Sequence, residues 1–330
     1  MARVYLEALH HLQPSPESAL ELAALDRQCH DFAQGLALLR EADARWPGRV
    51  DLLRAQAELA MLAKAFEAAG ELWQRLISED GMAGSYPVLR KVACLRQMDR
   101  EDAAQCQIAA CATALEAQLS KHAVELLRNP VSSRAALVPG LYLVTGNNGT
   151  GKTTLGHFLQ ALGFHTIDAD IDIAAFCDGH RWAILRHDLS RGRPEIETGL
   201  RWLWPCARFE VTCGAFGDFE RVVFVIGGFG QAVAPYIHRF DKVFHLTAPT
   251  DVIARRLEKR GSPSHRKGSP GYRSALRRNT KASSPPYPAY IIKADRPVWE
   301  SCEVILASLG ARPSQAAKPV RAALPICPTA

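Results

Sequence analysis

The stretch Leu141-Tyr142-Leu143-Val144-Thr145-Gly146-Asn147-Asn148-Gly149-Thr150-Gly151-Lys152-Thr153-Thr154 decides the fold of the second half of this chain. It joins an apolar segment, typical of a buried parallel strand, to the spacing Gly-x-x-x-x-Gly-Lys-Thr. Glycines at these positions let the backbone turn tightly and aim consecutive N–H groups at phosphate oxygens. The stretch therefore predicts a strand, a phosphate-binding loop and a helix, and with them a site for a nucleoside triphosphate.

The residue types within this loop suggest roles for individual side chains. The ammonium group of Lys152 can reach the β- and γ-phosphates of ATP, and the Thr153 hydroxyl can coordinate Mg²⁺. The N-terminus of the helix that follows adds favourable partial charge. The alternative is a chance glycine-rich turn with no ligand. We expect the nucleotide to contact Gly146, Asn147, Asn148, Gly149, Thr150, Gly151, Lys152, Thr153 and Thr154.

Composition narrows the class of protein. A chain of 330 residues with 48% apolar residues can bury two modest cores, which favours two domains. The nine cysteines include no Cys-x-x-Cys pair, and this suits a reducing compartment. The first residues lack the apolar core of a signal peptide, and no apolar run approaches membrane-spanning length. These observations predict a cytoplasmic protein without membrane association.

The chain before the phosphate loop is rich in Ala and Leu and is similar to itself at an offset of 34 residues, the period of tetratricopeptide repeats. At this offset Ala23 matches Ala57 and Phe32 matches Phe66. Small residues recur where paired helices cross closely. The offset predicts an all-helical region of three repeats near 16–49, 50–83 and 84–117.

The third repeat departs from this pattern. It carries Lys91 where a small residue is expected and Arg100 where the first two repeats have Phe. We expect it to be an edge repeat that is capped by a helix over 115–127. A plain helical bundle is the alternative. A repeat array would present a groove for a protein or peptide partner, whereas a bundle would need no partner.

Strand-like and helical segments alternate after residue 138 and predict an α/β sandwich around a five-stranded parallel sheet. The five strands are expected at 141–145, 166–168, 222–226, 243–246 and 290–293. The sequence thus predicts a helical repeat domain over 1–128, a linker over 129–137, a nucleotide-binding domain over 138–309 and a disordered tail over 310–330.

Ligands of parallel sheets gather at the carboxyl ends of the strands. Asp168 and Asp170 follow the second strand, where one carboxylate can hold Mg²⁺ and the other can orient an acceptor hydroxyl. The alternative is an acidic turn that caps a helix. Gly227 and Gly228 follow the third strand. They would let an acceptor or the γ-phosphate approach the backbone, or would form a tight strand-to-helix turn, and the two roles are compatible.

An Arg-rich helix follows the fourth strand and continues into a basic stretch rich in Gly, Ser and Pro, between Arg255 and Lys281. Its composition suggests a lid whose arginines close over the triphosphate and exclude water. Arg256 and Arg260 share a helix face and are the favoured pair. A solvated basic helix face is the alternative.

The order of these motifs resembles the small P-loop kinases related to adenylate, shikimate and gluconate kinases. The segment Phe240-Asp241-Lys242-Val243-Phe244-His245-Leu246, followed by Arg256-Leu257 and Arg260, is similar to adenylate-kinase-like ATP-binding proteins of bacteria. The resemblance covers about residues 138–309. It implies that Asp168 assists Mg²⁺ binding, that Asp170 contacts the acceptor and that the turn with Arg296 and Pro297 lies against adenine.

The acceptor-binding region, 173–219, matches none of these kinases, so the acceptor stays unknown. Basic and aromatic side chains are frequent in it, and they would form either an acceptor pocket or a core with surface charges. The residues concerned are Arg181, Arg186, Arg191, Arg193, Arg201, Trp182, Trp202 and Trp204.

These expectations combine into an ATP- and Mg²⁺-dependent phosphotransferase attached to a helical module that docks a protein or peptide. Lys152, Asp168, Asp170, Arg256 and Arg260 would carry the catalysis, and Thr153 and Asp168 would hold the metal. An ATP-dependent switch with little turnover is one alternative. A nucleic-acid end kinase or nucleotide-sugar kinase is another, although no RNA-binding motif supports contact with nucleic acid.

Overall fold

The computed structural model describes residues 7–8, 10–28, 30–79, 84–129, 137–177, 201–214, 221–228, 232–260, 266–281 and 285–310. The predicted tail at 310–330 lies outside these residues except for Gly310, which ends a helix, and most of the predicted linker and the segment 178–200 also lie outside them. The fold consists of a helical array followed by a parallel sheet that is flanked by helices, as the sequence predicts.

The helical array contains three consecutive pairs of helices among the described residues. Short turns join the two helices of each pair, and each pair packs against the next. The third pair is followed by two shorter helices, where the sequence predicts one capping helix. The array comprises α1 (Pro16–Gln28), α2 (Phe32–Arg45), α3 (Val50–Leu62), α4 (Phe66–Glu79), α5 (Ser85–Gln97), α6 (Glu101–Ala110), α7 (Ala112–Gln118) and α8 (Lys121–Arg128).

The turns within the three pairs share one backbone feature. His30, Lys64 and Asp99 adopt left-handed φ angles of 59°, 59° and 56°, which side chains other than glycine rarely adopt. They occupy equivalent positions, and the spacing grows from 34 to 35 residues before the third pair. The third pair therefore keeps the turn of the first two but shifts its register by one residue.

The shift of register explains how the third pair departs from the repeat pattern. Ala69 is fully buried in the second pair, whereas in the third pair Ala104 is buried and Ala103 is exposed. Lys91, at a position that is small in the first two pairs, lies half-buried and donates a hydrogen bond to Gln74. The amine is thus accommodated by a polar partner in the neighbouring helix.

The second half of the chain forms a five-stranded sheet in which every described strand pair is parallel. The strand order is β2-β5-β1-β6-β7, so the strand before the phosphate loop lies at the centre. A separate antiparallel pair joins β3 to β4. The strands are β1 (Gly140–Gly146), β2 (His165–Asp168), β3 (Ala175–Cys177), β4 (Arg201–Leu203), β5 (Val222–Ile226), β6 (Lys242–Thr247) and β7 (Tyr290–Lys293).

Helices cover the sheet and its ends. The strands β1 and β5 are buried along their whole length, as continuous apolar strands of a sheet covered on both faces should be. A 3₁₀-helix at Ala234–Arg239 precedes β6. The helices are α9 (Lys152–Ala161), α10 (Ala169–Asp172), α11 (Cys206–Gly214), α12 (Thr250–Arg260), α13 (Pro270–Lys281) and α14 (Val298–Gly310).

One hydrophobic core joins the helical array to the sheet. Val92 and Ile108 of the array belong to the same buried cluster as Phe158 of α9 and Phe224 of β5. Arg96 lies in this contact with only 1% of its side chain exposed. Its guanidinium pairs with Glu101 and donates to the carbonyl oxygens of Leu127 and Ala161. The array thus packs directly on α9, the helix that begins at Lys152.

A second core lies on the other face of the sheet. It contains Leu143, Val225, Phe209 and Trp204, which stacks on Phe209 with ring centroids 6.0 Å apart. Of the helices in the described part of the chain, none is long and apolar enough to cross a membrane.

Candidate functional site

The loop between β1 and α9 depends on three glycines with positive φ. Gly146, Gly149 and Gly151 have φ angles of 147°, 84° and 96°. A Cβ atom on Gly146 would lie 2.6 Å from the carbonyl oxygen of Leu246 in β6. Both the backbone angle and the lack of space therefore exclude a larger residue there. The result is a loop that curves tightly over the end of the sheet and leads into the first turn of α9.

Side chains of the loop hold this curve in place. The ammonium group of Lys152 donates to the carbonyl oxygens of Gly146 and Asn147, at 2.8 and 3.1 Å. The Thr150 hydroxyl donates to the Asn147 carbonyl at 2.8 Å. Thr153, in the first turn of α9, is exposed. The loop therefore combines an ammonium group, an accessible hydroxyl and the N-terminus of a helix in one place. The ammonium group and the helix N-terminus can donate hydrogen bonds to phosphate oxygens, and the hydroxyl oxygen can coordinate Mg²⁺.

The predicted carboxylates lie at the carboxyl end of β2. The Oδ1 atom of Asp168 accepts a hydrogen bond from the backbone N–H of Asp170 at 3.1 Å, and the Asp168 N–H donates to Asp172 at 3.0 Å. Asp168 caps the short helix α10, so the capping role that was the alternative is present. Burial, together with the charges of Asp170 and Asp172, raises the pKa of Asp168 to about 7. A cation at this carboxylate would relieve the repulsion.

The basic stretch after β6 forms two helices, where the sequence suggests one helix and a flexible stretch. Ile253 and Leu257 of α12 pack on Tyr272 and Ala275 of α13. The Asn147 amide donates to the Ala275 carbonyl at 2.8 Å, which ties α13 to the phosphate loop. Arg256 donates to the Thr150 carbonyl at 3.3 Å and weakly, at 3.5 Å, to that of Gly149. The side chain of Arg260 lies outside the described residues.

The two glycines after β5 form a tightly packed turn, which is one of their two expected roles, and a path for a ligand to their backbone stays a prediction. A Cβ atom on Gly228 would lie 2.4 Å from Val233 Cγ2 and 2.6 Å from Trp204 Cζ2. A Cβ on Gly227 would meet Ala169 at 3.3 Å. The tight turn is therefore the structural reason for this pair. Trp204 is a buried core residue and not a pocket residue, whereas Trp202 is 40% exposed.

Part of the predicted acceptor region lies outside the described residues. This applies to Arg181, Trp182, Arg186, Arg191 and Arg193, and to the side chain of Arg201. Their role as an acceptor pocket stays a prediction.

A cavity of about 1220 Å³ brings most of the predicted site residues together. The phosphate loop, Asp168, Asp170 and Arg256 line it, and so do Arg296 and Pro297 from the turn after β7. Gly146 and Asn147, at the start of the loop, are not among the residues that line the cavity, and their contact with the nucleotide stays a prediction. Among the described residues, no group of three or more His, Cys, Asp or Glu side chains could hold a metal ion.

The helical array forms the opposite wall of this cavity, which sequence reasoning did not anticipate. Residues of α1, α3 and α5, the first helices of the three pairs, face the phosphate loop and α9 across it. The first helices of the pairs thus face the half of the chain that contains the phosphate loop. The wall includes Leu20, Ala23, Arg27, Arg54, Glu58, Tyr86 and Arg90.

A buried polar network fixes this wall to α9. The Arg90 guanidinium donates to Glu58 at 2.8 Å and to the Gln160 side chain of α9 at 2.6 Å. Tyr86 donates to Glu58, and its ring lies 5.4 Å from that of His157, also on α9. Burial would raise the pKa of Glu58, but the Arg90 charge and the Tyr86 hydroxyl outweigh it and lower the pKa.

The network also determines the charge of the histidine that it contacts. Burial and the Arg90 charge lower the pKa of His157 to about 3. His157 is therefore neutral near pH 7. An interface with a neutral histidine avoids a further positive charge beside Arg90.

Comparisons with known proteins give little beyond this geometry. No protein-family model matches the chain, and no curated protein matches it. Among solved structures, the unliganded sugar kinase from Janibacter sp. HTCC2649 is similar over 52% of this chain and 94% of its own length, with a TM-score of 0.34 and 18% sequence identity. A similarity of this size indicates neither a substrate nor a mechanism, and the interpretation of this chain rests on its own residues.

Proposed function

We propose that this chain is an ATP- and Mg²⁺-dependent phosphotransferase of the small P-loop kinase type. The observation that carries the proposal is the convergence of four features on one cavity: the glycine-rich loop with Lys152, the hydroxyl of Thr153, the carboxylates of Asp168 and Asp170, and the guanidinium of Arg256. Each belongs to the donor set that phosphoryl transfer requires.

The residues that line the cavity would have separate roles in binding ATP and Mg²⁺. Backbone N–H groups from Asn148 to Thr154 and the Lys152 ammonium would hold the phosphates, which lie where the helix dipole of α9 is favourable. Thr153 and Asp168 would hold Mg²⁺. Bound ATP would supply the γ-phosphoryl group. Arg296 and Pro297 would lie against adenine.

The acceptor would meet the γ-phosphoryl group on the side of the cavity that the phosphate loop forms. Asp170 is exposed at the mouth and would orient the acceptor hydroxyl or take up its proton. Arg256, already at the loop, would neutralise charge on the transferring group, and Arg260 would assist from the same helix. The two walls, one on each side of the reactants, would limit the access of water.

The organisation of the chain is part of the proposal. The three helix pairs would form a tetratricopeptide-like domain over 1–128, followed by a linker over 129–137, a P-loop domain over 138–309 and a tail over 310–330. The first helices of the pairs line the cavity, so a protein or peptide partner would have to dock elsewhere on the array. A cytoplasmic location would suit the nucleotide supply.

ATP consumption by the full chain tests the function. We would compare the wild type with Lys152→Ala, with and without pooled small metabolites, and follow ADP and phosphorylated products by mass spectrometry. Removing the ammonium group should lower turnover by about 10²- to 10³-fold. The matched control is Lys121→Ala, at an exposed lysine of α8, which should turn over like the wild type. Equal turnover in all three proteins would refute the proposal.

A nucleotide-dependent switch is the second candidate, because Arg90 and Arg96 connect the array directly to the helix that carries Lys152. In that case the chain would bind ATP tightly without turnover, and the array would respond to it. Asp168→Ala and Asp170→Ala distinguish the two functions. A kinase would lose transfer in these variants, whereas a switch would keep its nucleotide-dependent change, which hydrogen exchange of the array would detect.

A further inference from the structure

The wall that the helical array contributes carries exposed positive charge. Seven basic and four acidic side chains line the cavity, and the array supplies Arg27, Arg54 and Arg90. Arg90 is buried and neutralised by Glu58 at 2.8 Å. Arg27 and Arg54, by contrast, are exposed to the cavity.

The surroundings of these two arginines do not neutralise their positive charges, which can therefore attract an anion. Among the described residues, neither forms an ion pair with a carboxylate. The Arg54 guanidinium lies over the Tyr86 ring, 4.9 Å from its centroid, which orients the group without neutralising it. Asp51, the nearby acid of α3, pairs with Arg49 at 2.7 Å instead.

Arg27 also lies within electrostatic reach of the nucleotide-binding half. Arg27 lines the same cavity as the phosphate loop, Asp168 and Asp170. Burial lowers the pKa of His157 of α9, and the charge of Arg27 contributes to this shift. This residue of α1 therefore adds positive charge to the cavity in which the proposed metal and acceptor groups lie.

We propose that Arg27 and Arg54 form an anion-binding subsite that holds a phosphate group across the cavity from the phosphate loop. The proposal rests on the proposed function and deepens it, because a subsite of this kind selects a phosphorylated acceptor. Guanidinium groups bind phosphate with two parallel hydrogen bonds, and an excess of basic lining favours an anion with two charges. The same chemistry would serve the γ-phosphate of ATP, so the source of the phosphate has to be separated by experiment.

Two binding measurements on the full chain separate these sources. In the first, the affinity for a non-hydrolysable ATP analogue with Mg²⁺ is measured by calorimetry. In the second, the chain is saturated with this analogue and titrated with inorganic phosphate and glycerol 3-phosphate, with glycerol as the neutral probe. Both measurements are made on the wild type and on two double variants. The cavity variant is Arg27→Ala/Arg54→Ala, and the α2 variant is Arg40→Ala/Arg45→Ala. The last pair removes two exposed arginines of α2 that do not line the cavity.

We expect the saturated wild type to bind the two phosphate probes but not glycerol, and the cavity variant to bind them at least about tenfold more weakly. The affinity for the ATP analogue should stay unchanged. If the cavity variant instead loses affinity for the analogue and the saturated wild type binds no phosphate probe, the subsite exists and its phosphate is that of ATP. If neither measurement separates the cavity variant from the α2 variant, the subsite is refuted.

These measurements need no turnover, so they are independent of the proposed activity. Binding of phosphate probes without any phosphoryl transfer would refute the kinase and keep the subsite. Transfer without an effect of Arg27 and Arg54 on either measurement would keep the kinase and refute the subsite. Thermal unfolding of each variant shows that the array remains folded, which is expected because both side chains are exposed.

Discussion

The two walls of the cavity are built in different ways. The phosphate loop in one wall is a continuous segment, and its form depends on backbone angles at Gly146, Gly149 and Gly151. The array wall comes from three helices that are separated along the chain, and its form depends on side chains such as Arg90, which bridges Glu58 and Gln160. The form of the loop is determined by the backbone conformation of one segment. The form of the array wall is determined by the packing of distant helices and by the neutralisation of buried charge.

This difference has a consequence for how each wall responds to change. A substitution in the loop should disturb ligand binding through the backbone, while a substitution in the interface should destabilise the whole chain because both halves share one core. The variants below separate the two effects, beginning with the largest.

The buried arginine of the interface should give the largest effect on stability. Arg96→Ala removes the ion-pair partner of Glu101, which keeps a hydrogen bond from Gln105. It also removes the donor to the carbonyl oxygens of Leu127 and Ala161, and should lower the free energy of unfolding by about 3–5 kcal/mol. Arg100→Ala is the matched control: its ion pair with Glu67 is 3.0 Å long but exposed, so the expected loss is about 0–1 kcal/mol. Urea denaturation measures both. Equal losses would mean that Arg96 contributes no more than a surface ion pair.

Substituting one glycine in each half of the chain tests how strongly the phosphate loop depends on its backbone conformation. Gly146 and Gly48, in the turn after α2, both have positive φ, so Ala strains the backbone at either position by about 1–2 kcal/mol. Only at Gly146 does the new Cβ also meet a carbonyl oxygen, whereas nothing lies within 4 Å at Gly48. Gly146→Ala should therefore be less stable than Gly48→Ala by about a further 1–3 kcal/mol.

The two glycine variants should also differ in nucleotide affinity. Because Leu246 has to move to make room, Gly146→Ala should bind the ATP analogue more weakly, and Gly48→Ala should bind it like the wild type. Calorimetric titration checks this expectation. Unchanged affinity in Gly146→Ala would show that the loop tolerates displacement and would weaken the comparison.

The smallest effect is expected from the pH dependence of the interface in mild acid: lowering the pH from 7 to about 5.5, one unit below the ordinary pKa of histidine, should cost about 1 kcal/mol. Burial and Arg90 lower the pKa of His157 from 6.5 to about 3, so between these values the unfolded chain holds a proton that the folded chain has released. Stability should accordingly fall as the pH falls through this range. His157→Phe should lose less stability than the wild type on acidification, whereas His238→Phe, at an exposed histidine of the 3₁₀-helix, should behave like the wild type. Thermal unfolding at neutral and acidic pH measures the difference, and parallel losses in all three proteins would contradict it.

The sequence by itself determined the parts of this protein that depend on local pattern. The spacing from Gly146 to Thr153 predicted a strand, a tight loop and a helix, because only glycine adopts the backbone angles that this curve needs. Five apolar segments predicted the parallel sheet, and the 34-residue offset predicted the three helix pairs. Residues that are buried at regular intervals produce a regular pattern of apolar and small residues in the sequence. The turn residues His30 and Lys64 lie 34 residues apart, whereas Asp99 follows Lys64 by 35 residues, and the offset does not predict this extra residue.

Only the tertiary structure decided what lies opposite the phosphate loop. No local pattern marks Arg27 or Arg54 as cavity residues, because an exposed arginine on an amphipathic helix has the same sequence context whether it faces solvent or a ligand. The shared core and the buried arginines place α5, the first helix of the third pair, against α9. The packing of helices from distant parts of the chain gives these residues their place, since it depends on the fit of whole surfaces and not on the order of neighbouring residues.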